Sequence, residues 1–320
     1  MKPRLFLLSL LLLPATLISA DPAKKEPLKI TPGKVIVPTD AMRRPWGELV
    51  SLDLKTRTGT FRDEGNDQIM PFTVLPYAEL LHHAAFGDLR DFKIGERAIF
   101  RLHQDAEGKW TWLTYIQDEM NFLNGHKEYY WVDRLDPATG KIEYTQANTD
   151  KSFIRGKELV LETNEQTRFW KNGELVKFAD IKIGDKLRTK SHGIGKGKHH
   201  RCWEVFLDDA SLEKFQKEQQ AVHRKRLLEE GWPGYVDEIG GGEVKLTLFQ
   251  EGRELAKDLK AGMIIRVAPT GMDRMPGKAI SGTIKEQKAF GNLHGVTIRL
   301  MSEPPEALKK TTVARLWLTP

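Results

Sequence analysis

The sequence predicts a mainly β protein built from three small OB-like β-barrels in tandem, with one helix between the second and the third. A short phrase recurs three times, as Asp91-Phe-Lys-Ile-Gly95, Asp180-Ile-Lys-Ile-Gly184 and Asp258-Leu-Lys-Ala-Gly262. The copies start 89 and 78 residues apart, which suits a small β module with insertions better than a solenoid repeat of about 20 to 50 residues. Around each copy, about five short β-branched and aromatic runs alternate with polar or glycine-containing turns, as an OB-like barrel requires.

The first 44 residues are predicted to lie outside the barrels. Two cations, Lys2 and Arg4, precede a nearly unbroken apolar run over residues 5–13, and the small Ala20 precedes Asp21. This pattern predicts a signal peptide over residues 1–20, cleaved near Ala20, and therefore a secreted or periplasmic protein. The run is shorter than the roughly 20 residues that span a bilayer and no second one follows, so we expect no transmembrane helix in the mature chain. Residues 21–44, rich in proline and lysine, are predicted to form an exposed linker.

Each module begins with a predicted hairpin, and the three modules span residues 45–125, 126–210 and 232–303. The hairpins pair residues 47–54 with 59–61, 129–135 with 141–144, and 235–239 with 243–249. In the third, Val244, Leu246 and Leu248 alternate with polar residues, which predicts a sheet with one buried and one wet face.

The repeated phrase is predicted to be structural. Its aspartate can cap a short helical turn, and its glycine can adopt the left-handed conformation that lets the chain enter the next strand. The phrase therefore occurs once in each module and does not mark a ligand site.

One helix is predicted over residues 211–231, with Ser211 as its N-cap and Gly231 as its end. Its sparse apolar stripe consists of Leu212, Phe215, Val222 and Leu228. Charges fill its other faces, so we interpret it as a solvated helix laid against the barrels. Residues 304–320 are predicted to end in a strand that could pair with the open edge of an earlier module.

The first module resembles the periplasmic copper-binding domain of the CusF type, a small five-stranded OB-like barrel. The matching segments are Phe72-Thr-Val-Leu-Pro76, Asp91-Phe-Lys-Ile-Gly95-Glu-Arg-Ala-Ile-Phe100 and Tyr115-Ile-Gln-Asp118. That family holds Cu(I) with a histidine, two methionines separated by one residue, and a tryptophan. Here Met70 is present, Gln68 stands at the partner position, and no histidine or tryptophan occurs between Gly59 and Met70. The resemblance thus implies the fold and an envelope location, and fold alone does not carry function.

Two groups of soft ligands are candidate metal sites for copper or zinc. His192, His199, His200 and Cys202 lie in and after a glycine- and lysine-rich stretch, and strand alternation predicts that His200, Cys202 and Glu204 share one face. The alternative is a flexible basic loop whose lysines repel a cation. The second group is Met272 and Met275, with His294 later in the same module; the alternative is a packing role, because methionines more often fill gaps in cores.

Two further pairs of residues are candidates for a site. His82 and His83 fall on residues 77–86, which are predicted to form a short helix; adjacent rings on a helix point about 100° apart, so we expect one to face solvent and one the barrel. Trp110 and Trp112 lie on one face of a predicted strand and could stack on sugars or bases. Burial in barrel cores or module contacts is the alternative that we favour for the tryptophans.

The composition narrows the function without identifying it. Loss of Lys2 and Arg4 with the leader would lower the formal charge of +6 by two, to +4, which is too small to predict a nucleic-acid partner. The single cysteine, Cys202, excludes an intramolecular disulfide. No phosphate-binding loop, nucleophile elbow or metalloprotease histidine pair is recognised, although a carboxylate pair brought together by the fold stays open.

We therefore expect an exported, non-enzymatic binding or structural module without a cofactor. Its partner would be an envelope or extracellular protein, a glycan or a metal. The alternatives are a periplasmic copper- or zinc-binding protein and, third, an enzyme of unidentified type.

Overall fold

The computed structural model describes residues 42–105, 107–193, 199–271, 273–291 and 293–318, and it confirms the predicted fold class of three closed β-barrels in tandem. The predicted leader and most of the predicted linker lie outside these residues. Among the described residues, no helix is both long and apolar enough to cross a membrane.

The first barrel closes five strands in the order β1-β2-β3-β6-β5 and back to β1. Strands β3 and β6 are parallel and the other neighbours are antiparallel, which is the OB arrangement. Its elements are β1 (Trp46–Asp53), β2 (Thr58–Asp63), β3 (Ile69–His82), β4 (Ala85–Phe86), β5 (Arg97–Gln104), β6 (Trp110–Asp118) and α1 (Glu119–His126). Strand β4 forms a short hairpin with the end of β3.

The second barrel repeats this order as β7-β8-β9-β13-β12, again with one parallel pair, β9 and β13. A short hairpin, β10 with β11, extends the sheet outside β13. The strands are β7 (Glu128–Asp136), β8 (Lys141–Asn148), β9 (Ile154–Glu162), β10 (Arg168–Lys171), β11 (Glu174–Val176), β12 (Lys186–Gly193) and β13 (His199–Phe206).

The third barrel has six strands, each antiparallel to its neighbours, in the order β14-β15-β18-β17-β16-β19. Its elements are β14 (Trp232–Gly240), β15 (Glu243–Leu248), α3 (Arg253–Ala256), β16 (Ile264–Pro269), β17 (Ile280–Phe290), β18 (Leu293–Leu300) and β19 (Val313–Leu318). The C-terminal strand β19 therefore closes its own barrel between β14 and β16, and it does not extend an earlier module. Val244, Leu246 and Leu248 are buried together, as their alternation predicts.

The repeated phrase has the structural role that the sequence predicts. Gly95, Gly184 and Gly262 have φ values of 90°, 87° and 87°, in the left-handed region that favours glycine. The carboxylates of Asp91 and Asp180 each accept a backbone N–H three residues earlier and so cap a 3₁₀ turn.

The helix α2 (Asp209–Glu230) buries only the first half of its predicted apolar stripe. Its N-cap is Asp208, whose carboxylate accepts the Ser211 N–H at 2.8 Å, and Gly231 ends it with φ 85°. Val222 and Leu228 are exposed, whereas Gln219 and His223 are buried. Leu212 is buried and Phe215 packs beside it against Met120 and Phe206, as the stripe predicts. The second half of the stripe fails because the surface that α2 covers there is partly polar, so hydrogen-bonding side chains face inward.

The barrels contact one another through apolar and polar surfaces. Leu75 and Tyr77 of the first barrel pack against Tyr235 and Phe249 of the third. Between the first and second barrels, the buried carboxylate of Glu119 accepts hydrogen bonds from four side chains, Arg97, Tyr130, Thr189 and Ser191. Both oxygens of this carboxylate accept hydrogen bonds, so its role is to hold the two barrels together.

Candidate functional site

A cleft of about 410 Å³ opens where the first barrel, the second barrel and α2 meet. Two aromatic side chains, Trp203 and Phe215, line it together with a strongly polar set. The polar lining consists of His82, His83, Lys93, Gln166, Arg168, Lys190 and Glu204. Seven polar residues against two aromatic ones make this cleft more polar than most small-molecule sites, so a ligand here would have to be polar or charged.

The turn that supplies the two histidines is strained. His83 and Ala84 join β3 to β4 with φ values of 49° and 59°, both left-handed, as in a two-residue type I′ turn. Left-handed backbone costs a non-glycine residue roughly 1–2 kcal/mol. Asp118 Oδ2 accepts the His83 N–H at 2.7 Å, and Gln216 Nε2 donates to the Ala84 carbonyl at 2.8 Å. The helix predicted over residues 77–86 is therefore wrong: this segment is a strand and a hairpin, held by partners distant in sequence.

Both histidines contact one cation, the ammonium of Lys190 from β12. Lys190 Nζ donates to His82 Nε2 at 2.6 Å and to His83 Nε2 at 3.1 Å, and it lies 2.9 Å from Glu96 Oε1. The two imidazole rings stack with their centroids 3.9 Å apart. The expectation that one ring would face solvent and one the barrel fails because the hairpin, unlike a helix, turns both rings toward the second barrel.

Burial sets the charge states at this cluster. Lys190 is 4 % exposed, and Glu96 and Asp118 have no exposed surface. Burial, followed by the charge of Lys190, lowers the pKa of His83 far below its usual range. This ring is therefore neutral, and its Nε2 can accept a hydrogen bond from the Lys190 ammonium. Burial also raises the pKa of Asp118, against the opposing charges of His82 and Lys190.

A chain of hydrogen bonds connects the cluster to α2. His82 Nδ1 lies 3.0 Å from Gln219 Oε1, and the network assigns the His82 proton to Nδ1 because Nε2 accepts from Lys190. Gln219 Nε2 donates to Asp91 Oδ2 at 2.9 Å, and Arg226 donates to both Asp91 oxygens at 2.8 Å. Asp91, the aspartate of the first repeat, thus has a second role as an anchor for the helix.

The candidate ligands of the second module do not converge among the described side chains. Cys202 is 1 % exposed in the core of the second barrel, and burial raises the pKa of its thiol. His192 instead packs on Trp203 with ring centroids 3.4 Å apart, and burial lowers its pKa to about 4. The predicted alternation along β13 is interrupted at Trp203, since Lys190 pairs with Glu204 and Ser191 with Cys202. The side chains of His199 and His200 lie outside the described part of the chain.

The remaining predicted residues lie apart from this cleft. Met275 is exposed on the loop between β16 and β17, and Met272 lies outside the described residues. Trp110 packs against the core of the first barrel, whereas Trp112 packs against the contact with the third barrel and lines a shallow cleft of about 910 Å³. Both tryptophans are half-buried.

Sequence reasoning missed Glu96, Asp118 and Lys190 as members of a site. A signal was available for Glu96 and Asp118, because each lies at the end of an apolar strand, where a charge needs a buried partner; Lys190 lies in a polar strand and gave no such signal. The partners are brought together only by the contact between two barrels.

Protein-family models give no match to this chain, and no curated protein is significantly similar to it. Its function has to be argued from the chemistry of the cleft.

Proposed function

We propose that the protein is an exported, non-enzymatic binding module that holds a small anion with an apolar ring in the cleft between the first barrel, the second barrel and α2. The observation that carries the proposal is the strained turn of His83 and Ala84, which holds two imidazoles against the Lys190 ammonium in this cleft. Strain of this kind persists where the surrounding structure fixes it, often at binding sites. Export rests on the apolar leader before Asp21.

The charges of the lining favour an anion. The third lining cation, Lys190, is paired with the buried Glu96 behind the lining. The other two, Lys93 and Arg168, face one lining carboxylate, Glu204. That carboxylate is already engaged, since it accepts hydrogen bonds from Arg168 and from the Trp170 indole. Lys93 is exposed and has no ion pair within the described residues, so its ammonium is free to meet a ligand.

The aromatic lining favours a ligand with a flat apolar portion. Trp203 and Phe215 come from different elements, β13 and α2, and both are half-buried. Stacking against such rings adds about 0.5–1.5 kcal/mol beyond the burial of area. An aromatic carboxylate is therefore the simplest ligand class that uses both the cations and the rings.

The engagement of Lys190 favours binding over catalysis. A lysine nucleophile needs a free, deprotonated amine, whereas this ammonium donates to His82 and His83 and is paired with the Glu96 carboxylate. The cluster is consequently a fixed wall of the cleft, in which the charge of Lys190 is paired with Glu96.

Calorimetric titration of the chain from Asp21 to Pro320 with benzoate, and with its neutral analogue benzamide, tests the proposal. Benzoate should bind with a dissociation constant on the order of 1 mM and benzamide about tenfold more weakly. Lys93→Gln should weaken benzoate binding about fivefold, whereas Lys182→Gln, at the same position of the second repeat, should leave it unchanged. Equal affinity for both compounds, or equal effects of both substitutions, would contradict the proposal.

Metal binding is the second candidate function. One atom each of His82, His83 and Asp118 lie within 4.8 Å of one another, which is compatible with a shared ion. The ammonium of Lys190 competes for the same position, because it already contacts both imidazole Nε2 atoms. A metal would have to displace it.

A further inference from the structure

A second cleft, of about 240 Å³, lies between the first and third barrels and shares no lining residue with the first cleft. We propose that it is an oxyanion-binding site in which Arg57 is the principal ligand, taking a phosphate, sulfate or carboxylate group. The proposal is independent of the function proposed above. It rests on three observations: free donors on a buried guanidinium, the charges around it, and the use of the same guanidinium edge elsewhere in this protein.

Arg57 stands in the turn between β1 and β2 and is only 2 % exposed. Its Nε and Nη2 atoms are buried and donate no hydrogen bond within the described part of the chain. No carboxylate of the described residues lies within ion-pair distance of it. A buried guanidinium without a counter-ion is costly, because burial removes its hydration and nothing replaces it.

Among the cations that line this cleft, Arg57 is the buried one that has no ion-pair partner within the described residues. The cleft is lined by four cations and three carboxylates, namely Lys55, Arg57, Arg90 and Arg315 against Asp88, Glu230 and Asp273. Arg90 engages two of the carboxylates: it donates to Asp88 at 2.8 Å and to both oxygens of Glu230 at 2.8 and 2.9 Å. Asp273 is exposed and accepts the backbone N–H of Met275 at 3.0 Å.

One further arginine, Arg274, follows the lining residue Asp273 and acts on Arg57 through its charge. Arg274 and Arg315 are 3 % and 4 % exposed, and Arg274 Nε also lacks a hydrogen-bond partner among the described residues. Burial, and then the charge of Arg274, lower the pKa of Arg57 to about 9. The charges of Asp88 and Glu251 act on Arg57 in the opposite direction. Both carboxylates accept hydrogen bonds from other arginines, Asp88 from Arg90 and Glu251 from Arg274.

The same guanidinium edge binds carboxylates twice in this protein. Arg97 donates through Nε and Nη2 to the two oxygens of Glu64 at 2.6 and 3.0 Å. Arg155 uses Nε and Nη2 on the two oxygens of Glu128 at 2.9 and 2.7 Å. The Nε and Nη2 edge of Arg57 is the matching fork without its oxyanion, and this geometry fits carboxylate and phosphate groups. Because both atoms are enclosed, the guanidinium must turn this edge toward the cleft as the anion enters.

Thermal unfolding in phosphate and in chloride, at equal ionic strength, tests this site in the chain from Asp21 to Pro320. Inorganic phosphate at about one hundred times its dissociation constant should raise Tm by about 5 °C over chloride. Arg57→Met should abolish this rise, and Arg57→Lys, which keeps the charge but loses the fork, should reduce it by at least half. Arg299→Met, an exposed arginine of the third barrel, should leave the rise unchanged.

Acetate and glycerol 3-phosphate, used in the same way, separate the possible sources of the oxyanion. A larger rise with glycerol 3-phosphate than with phosphate would assign the site to a phosphorylated organic ligand, and the reverse order to the free ion. A rise with acetate alone would assign it to a carboxylate. Equal Tm in phosphate, acetate, glycerol 3-phosphate and chloride, or an equal rise in wild type and Arg57→Met, would overturn the proposal.

Discussion

Glu96 and Lys190 form a buried ion pair, 2.9 Å apart, across the contact between the first and second barrels. Glu96 directly follows the glycine of the first repeat, and Lys190 lies in the corresponding strand of the second module. Two related barrels thus contribute opposite charges to one site. Neither barrel could bury its charge alone without a large desolvation cost.

Removal of one partner of this pair should destabilise the protein strongly. We expect Lys190→Met to lower the free energy of unfolding by about 3–5 kcal/mol, because Glu96 is left buried without its cation. Urea denaturation measures this change. Lys285→Met, which breaks the half-exposed pair with Glu243, should cost less than about 1 kcal/mol. Similar losses in the free energy of unfolding for both variants would contradict a larger contribution from the buried pair.

A glycine at position 84 should relieve the backbone strain of the turn at His83 and Ala84. Ala84 has φ 59°, where glycine has no Cβ penalty, and we expect Ala84→Gly to raise the free energy of unfolding by up to about 1 kcal/mol. The gain is limited because glycine also increases the entropy of the unfolded chain. The matched control is Ala138→Gly, in a turn where the alanine φ is not positive, and it should destabilise. Destabilisation by both changes would contradict a strained turn.

Acidification from pH 7 to pH 5 should destabilise the protein through its buried histidines. The unfolded chain gains a proton at each histidine near pH 6.5, whereas His83, with its lowered pKa, stays neutral when folded. Stability is therefore lost as pH falls below about 6.5, by up to roughly 1.4 kcal/mol per pH unit for each such histidine. Asp118 acts in the opposite direction, since its raised pKa lets the folded form take a proton first.

Urea denaturation at several pH values, in wild type and His83→Gln, isolates the contribution of this histidine. The variant should show a flatter decline between pH 7 and pH 5. An identical decline in both proteins would show that His83 does not titrate as its surroundings imply. His192, whose pKa is lowered to about 4, should account for part of the decline that remains.

Loss of the Lys190 ammonium should create a zinc site. Lys190→Ala leaves two Nε2 atoms and the Glu96 carboxylate facing one position, and Zn²⁺ binds such donors at about 2.0–2.2 Å. We expect this variant to bind one Zn²⁺ in competition with a chelator, and the wild type not to. Addition of His83→Gln should remove the gain.

Stoichiometric zinc binding by the wild type would contradict this competition. Its loss in a Cys202→Ser/His200→Ala double variant would then place the metal at the cluster that the sequence predicts in the second module.

The repeat made the architecture predictable because it is a local signal. A capping aspartate and a left-handed glycine act within five residues, and φ values near 90° at Gly95, Gly184 and Gly262 have the sign that the phrase implies. The sixth strand of the third barrel was harder to predict, since Val313–Leu318 pairs with strands more than 40 residues away.

The site was not predictable because long-range contacts decide it. Residues 77–86 have apolar residues at helical spacing, and only the parallel pairing with β6 and the bond to Asp118 make them a strand and a turn. In the same way, the bulge at Trp203 turns Cys202 into the core. Sequence patterns report the local preference, and here tertiary pairing overrides it.

The most direct test of the central claim is the indole region of the nitrogen–proton correlation spectrum during a benzoate titration. Trp203 lines the proposed cleft and Trp112 lines a different one, so their two signals report on the two surfaces separately. Trp203→Phe and Trp112→Phe variants assign the signals. We predict that the Trp203 signal shifts and saturates while the Trp112 signal stays in place. A shift of Trp112 alone, or of neither signal at saturating benzoate, would contradict the cleft as the binding site.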